Sequence, residues 1–287
     1  MAPTSSVVAA WDLGRRLKEK RELLGLLGKD VQTKTKIATS YLSAVEKGKQ
    51  QLSEEKLTDL ATLLEFDQPA ITELLHLRSQ ALNRGWWTKF SALFNDELLR
   101  MFGFEHGAES IRTYCSSLVY GMLQTERYAR AVIETGAPNI RLAEVDRRVE
   151  ARMMRKDLLD GPNPPHLHVV MSEAALRQQI GGPDVLREQL RHLSQLMNQH
   201  PNTIDIRIVP FAAPGHHAMG GSNFYILAFP GATLPTLVWQ ETVTSTQFID
   251  DHQMVREYAL AHAAATANAR DRKASLAMIN RLARELK

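Results

Sequence analysis

Val31-Gln32-Thr33-Lys34-Thr35-Lys36-Ile37-Ala38-Thr39-Ser40-Tyr41-Leu42-Ser43-Ala44-Val45-Glu46-Lys47-Gly48-Lys49 is the stretch that decides the fold. It reads as two short helices, residues 29–35 and 38–46, with Gly48 ending the second. Val31 faces inward from the first helix and Ile37 sits in the turn. Leu42 and Val45 face inward from the second. The same periodicity places Thr39, Ser40, Ser43, Ala44 and Lys47 on the outer face of the second helix.

That spacing is a helix-turn-helix, whose second helix enters a DNA major groove. Thr39 and Ser40 both donate and accept, and Ala44 suits a thymine methyl. Lys29, Lys36, Lys47 and Lys49 are placed to neutralise flanking phosphates. Residues 12–24 form an amphipathic helix with Leu13, Leu17 and Leu24 inside, and Gly25 stops it. Ser53 caps a fourth helix with an acidic first turn, and a fifth covers residues 70–81. The expected first domain is therefore an all-α unit of five helices, residues 1–82. Residues 11–56 carry eleven Lys/Arg against seven Asp/Glu, although the whole chain has a net charge of only +3. The positive excess sits on the segment expected to meet phosphates.

Leu42-Ser43-Ala44-Val45-Glu46-Lys47-Gly48-Lys49, downstream of Arg21-Glu22-Leu23-Leu24-Gly25, resembles the Xre/Cro-type helix-turn-helix regulators. The resemblance implies that Glu46 pairs with Arg21, a structural ion pair tying the reading helix to the first helix. The sequence departs from the family at Leu27-Gly28, where a Thr/Ser-Gln pair is usual, and at Gln32, where Ala is usual.

Beyond this unit, residues 83–104 hold Trp86, Trp87, Phe90, Phe94, Phe102 and Phe104, an aromatic helical connector. Residues 105–287 form the second domain. Its first part, 105–160, reads as mainly helical, with an Arg-rich helix over 141–159 and Cys115 as a buried residue in a helix. Strand patterns follow at 166–171, 203–209, 223–229 and 236–243, with a helix at about 184–199 between the first two. That β-α-β piece permits parallel pairing. Two helices, 252–268 and 271–286, close the chain. The fold class is α+β, with a mixed α/β domain built on a four- or five-stranded sheet.

In the second domain Tyr120-Gly121-Met122-Leu123-Gln124-Thr125, Ile206–Phe211, Gly221-Ser222-Asn223-Phe224, Trp239-Gln240-Glu241-Thr242 and Asn280–Leu286 occur in an order similar to the WhiJ-like actinobacterial regulators. That likeness implies a domain that takes a small-molecule effector or a small cognate protein, in some arrangements antitoxin-like. Tyr120 stands where that group has Pro before Gly121. The candidate contact residues are Gln124, Tyr128, Arg207, His216, His217, Trp239 and Glu241. Glu241 is expected to pair with Arg207, with lining a pocket as the alternative. His216 and His217 lie in a Gly/Pro-rich loop that either closes over a ligand or is plain surface.

No enzyme is expected, since there is no P-loop, dinucleotide fingerprint or nucleophile elbow. No cofactor and no metal are expected either: His166 and His168 share a strand face without a third ligand. One cysteine excludes an internal disulfide. No run approaches the roughly 18 apolar residues of a membrane span. The expectation is a cytoplasmic protein that binds double-stranded DNA as a homodimer.

Overall fold

The computed structural model describes residues 5–136, 141–231, 234–242 and 244–286. Ala232, Thr233 and Val243, parts of an expected turn and strand, lie outside the described residues. The chain divides into two compact units that meet in sequence at Lys89 and Phe90. The boundary therefore falls seven residues later than the expected 82. The segment 83–104 is not one helix. It contains a 3-10 turn at Trp86–Phe90 and the start of a separate helix at Asp96.

The first unit is all-helical: α1 Ser6–Leu23, α2 Gly28–Thr35, α3 Thr39–Glu46, α4 Glu54–Leu63 and α5 Gln68–Ala81. The sequence reading started α1 too late, because Ser5 caps it by accepting from the Val8 amide. Ser53 and Asp67 cap α4 and α5 in the same way, satisfying amides that a helix start leaves unpaired. Leu13 and Leu17 of α1 pack with Val31, Ile37, Leu42, Val45 and the inner faces of α4 and α5 in one core.

The second unit carries a mixed sheet with helices on both faces. Its elements are α6 Asp96–Gly107, β1 Ser110–Cys115, α7 Glu126–Gly136, α8 Val145–Lys156, β2 His166–Ser172, α9 Glu173–Arg177, α10 Pro183–Gln199, β3 Ile204–Val209, β4 Phe224–Ala228, β5 Leu237–Glu241, β6 Thr246–Ile249, α11 His252–Asn268 and α12 Arg272–Glu285. The strand order is β3-β2-β1-β4-β5-β6. β1, β2 and β3 run parallel, as the β-α-β reading allowed, and β4 to β6 add antiparallel strands.

The sheet has six strands rather than four or five. β1 is the principal difference. It sits between β2 and β4, so Ile111, Thr113, Tyr114 and Cys115 are buried and no polar alternation betrays the strand. Cys115 accordingly ends a strand and is not in a helix. Alternation across the sheet sends Tyr114, Ile226 and Val238 toward α11. Cys115, Tyr225 and Trp239 point to the opposite face, where they line a cavity.

Candidate functional site

Two features carry chemistry, one in each unit. In the first, α3 is fixed from behind. Arg21 Nε donates to Glu46 Oε1 at 2.5 Å and Nη2 to Oε2 at 3.0 Å, while Nη1 donates to the Leu26 carbonyl at 2.9 Å. The hydrogen bond to Glu46 raises the Arg21 pKa further. α1 approaches α3 so closely that a Cβ on Gly14 would lie 2.3 Å from the Val45 carbonyl oxygen. Gly48, at φ +67°, turns the chain where a Cβ would lie 2.9 Å from the Trp11 backbone.

The outer face of α3 then points away from the core. Leu42 and Val45 are 2% and 0% exposed, whereas Thr39, Ser40 and Lys47 are exposed and Ser43 and Ala44 half-buried. Lys29, Lys36 and Lys49 are exposed as well. Lys36 ends α2 in the left-handed region at φ 59°, and its Nζ donates to the Thr33 carbonyl.

Sequence reasoning missed two contributors here. Gln32 caps α3: its Oε1 accepts from the Thr39 amide at 3.0 Å and from the Thr39 hydroxyl at 2.9 Å. A backbone amide can only donate, which fixes the oxygen's position and turns Nε2 the other way. The Thr39 hydroxyl proton is thus engaged inside the unit and leaves Ser40 as the freer donor. Tyr41, 37% exposed on the same helix, donates its hydroxyl to the Gln51 carbonyl at 2.6 Å. Gly28 explains the departure at the start of α2, since a Cβ there would lie 2.7 Å from Thr39 Cγ2.

In the second unit a cavity of about 680 Å³ opens between α6, α8 and the sheet. Its polar wall comes from α8, where Arg148, Arg152 and Arg155 stand at i, i+4 and i+7 on one face. Arg155 makes a bidentate pair with the buried Glu105, at 2.8 and 2.6 Å, and the Tyr120 hydroxyl donates to the same carboxylate at 3.0 Å. Arg148 pairs with Glu144 and also donates to the Leu93 carbonyl at 3.0 Å. Arg152 Nη1 donates to Gln124 Oε1 at 2.8 Å. Gln124 is held in turn by its Nε2, which donates to the Val119 carbonyl at 2.7 Å. Cys115 lines the cavity, and burial pushes its thiol up to about 12.

Three of the expected contact residues, Gln124, Trp239 and Glu241, line this cavity. Tyr128 does not. It is fully buried in α7, and its phenol oxygen accepts from the Val119 amide. The expected Glu241–Arg207 pair is absent, because β2, β1 and β4 separate their strands and the two side chains leave opposite faces. Arg207 instead bonds Asp205 at 2.9 Å. His216 packs edge-on against Tyr114, with ring centroids 5.1 Å apart, on the α11 face, and His217 is exposed in its loop.

Residues 12–74 match the family described as helix-turn-helix domain, and residues 98–281 match the domain of unknown function DUF5753. The chain belongs to the DUF5753 family. In this DUF5753 chain every cavity-lining residue except Phe94 lies within the matched segment. The first unit is a helix-turn-helix domain, which supports a DNA-binding regulator. No curated protein and no solved structure matches the chain. Among the described residues no helix is long and apolar enough to cross a membrane.

Proposed function

We propose that the protein is a transcriptional regulator that reads a specific duplex sequence with α3 and answers to a small effector taken into the cavity beneath α8. The polar outward face of α3, locked at one angle by Arg21–Glu46 and by Gly14, carries the first half of this reading. Ser40, Ser43, Ala44 and Thr39 reach base edges, while Lys29, Lys36, Lys47 and Lys49 meet phosphates. The amides at the start of α2, beside Lys29, add a phosphate contact in place of the usual Thr/Ser-Gln pair. A single short helix offers few contacts, so the chain acts as a homodimer on two half-sites.

The cavity supports the second half. Its volume and mixed lining suit a small molecule. Phe94 in its wall follows Lys89, the last residue of the helix-turn-helix unit, by five positions, and Arg148 grips the neighbouring Leu93 carbonyl. A ligand that reorders this wall therefore acts on the segment leading directly out of the DNA-binding unit. On this reading the second unit is a binding domain, with no nucleophilic role for its cysteine. Cys115, the obvious nucleophile in the cavity, stays a neutral thiol. Of the five motifs that resemble the WhiJ-like regulators, Tyr120–Thr125, Gly221–Phe224 and Trp239–Thr242 contribute residues to this cavity, whereas Ile206–Phe211 and Asn280–Leu286 do not.

The test is binding to duplex DNA from upstream of the chain's own gene, followed over a range of salt. Replacing Lys29 and Lys36 by Ala is expected to weaken binding to all sequences and to reduce the salt slope by about 0.9 for each phosphate no longer neutralised. A salt slope that does not change removes these lysines from the interface. A stoichiometric small protein co-purifying from the native host would favour a partner over an effector.

A further inference from the structure

We infer that the cavity takes a small organic monoanion, a carboxylate on an apolar or aromatic body, with its charged end against Arg152 and the Tyr225 hydroxyl. The inference rests on the effector reading above and gives that effector a chemical class. Three guanidinium groups line the cavity, and two of them are matched: Arg148 by Glu144 and Arg155 by Glu105. Arg152 is not. Among the described residues it makes no ion pair, and one hydrogen bond, to the neutral Gln124 amide, uses one of its five N–H donors. Burial, and then the neighbouring Arg155, pull its pKa down to about 10, yet it still carries a full charge at neutral pH. Glu241 and Glu105 act on it only from beyond ion-pair contact, so this half-buried cation has no directly paired counter-charge, and a ligand that places an anion against it improves its surroundings.

Tyr225 points to the same end. It lines the cavity, stacks beside Tyr120 at 5.4 Å between centroids, and its hydroxyl has no hydrogen bond among the described residues. Burial raises its pKa, so it stays a donor. Arg152 and Tyr225 both line the cavity and lie near enough to influence each other electrostatically, so two donors can converge on an oxyanion. The remaining walls are mixed: Phe94, Leu98, Met101, Phe102, Ile133 and Trp239 make a large apolar part, and Ser116, Ser222, Asn223 and Thr242 add neutral polar groups. One unmatched guanidinium fits one negative charge. Glu241, exposed at the rim, opposes a second, which favours a carboxylate over a phosphate monoester.

The test uses the full chain and a panel of aromatic, alicyclic and fatty carboxylates, each with its matched amide and phosphate monoester. Melting temperature and calorimetric affinity are the readouts. Carboxylates are expected to raise the melting temperature where their amides do not. Arg152→Gln is expected to weaken the best carboxylate about 10- to 100-fold, and Tyr225→Phe about 3- to 10-fold. Without ligand, Arg152→Gln should melt no lower than the wild type, since it removes a half-buried charge that no carboxylate pairs with directly. A lower ligand-free melting temperature would make Arg152 a structural cation and overturn the inference. So would amides or phosphates binding as well as carboxylates, or no carboxylate binding at all. Carboxylate binding that leaves DNA affinity unchanged would support the site while removing the effector reading.

Discussion

Replacing Arg21 by Met tests how the reading helix is held. Arg21 makes two hydrogen bonds to Glu46 and one to the Leu26 carbonyl, and the two side chains are only 12% and 9% exposed. Removing the guanidinium strands the Glu46 carboxylate and the Leu26 carbonyl together. For a pair this well buried the loss is about 3 kcal/mol, the low end of the range for breaking a buried ion pair. That corresponds to a rise of about 150-fold in the opening constant of the first unit. Because the chain has two units, a single melting curve mixes them. Hydrogen exchange of the α3 amides in the full chain isolates the relevant opening. Glu46→Gln alone is expected to cost less, about 1.5 kcal/mol, because an amide oxygen still accepts from Arg21. The double variant should recover part of the Arg21→Met loss, giving a coupling of about 2 kcal/mol, since no charge is left stranded. A loss below about 0.5 kcal/mol for Arg21→Met would place the pair with ordinary exposed salt bridges. A double variant no more stable than Arg21→Met would refute the reasoning as well.

Gly14→Val should be more disruptive than Gly14→Ala, and both should speed α3 amide exchange, because any side chain there meets the Val45 carbonyl. Cys115 should react with iodoacetamide about 1,000-fold more slowly than a free thiol near pH 8, the ratio that a rise from 9.0 to about 12 implies. The same shift means its contribution to stability is complete below pH 9 and falls away as pH climbs toward 12. Buried His262 donates Nε2 to the His168 carbonyl at 3.3 Å, and burial holds its pKa down to about 4 against an ordinary 6.5. Its neutral form is the folded one, so stability present above 6.5 should be lost as pH falls toward 4, by about 3 kcal/mol at most. Comparing urea midpoints of wild type and His262→Asn across that window checks this. An unchanged slope in the variant would assign the acid sensitivity to other groups.

The first unit was legible because its information is local. Val31, Ile37, Leu42 and Val45 lie within fifteen positions and set both helices and their register. Caps such as Ser53 sit beside the helices they start. The second unit depends on distant pairings. β1 is flanked by neighbours at 166–171 and 224–228, and a strand buried on both faces loses the alternation that marks β3. β6, four residues long, is too short to show a period.

The cavity was half legible. Gln124, Trp239 and Glu241 stood out as parts of short motifs, but Arg152 and Arg155 read only as members of an Arg-rich helix over 141–159. Their i, i+4, i+7 spacing with Arg148 was the available signal, and it became meaningful only with Glu105 buried beneath it. The Glu241–Arg207 expectation failed because sequence gives strand faces but not strand order.

In vitro selection from random duplexes, run side by side on the wild-type chain and on Ser40→Ala/Ser43→Ala, tests the central claim most directly. The account predicts that the wild type enriches two half-sites about one helical turn apart. The variant should keep that spacing and lose preference at the base positions those hydroxyls face. Identical preferences for both proteins, or no enriched sequence at all, would contradict a reading role for α3.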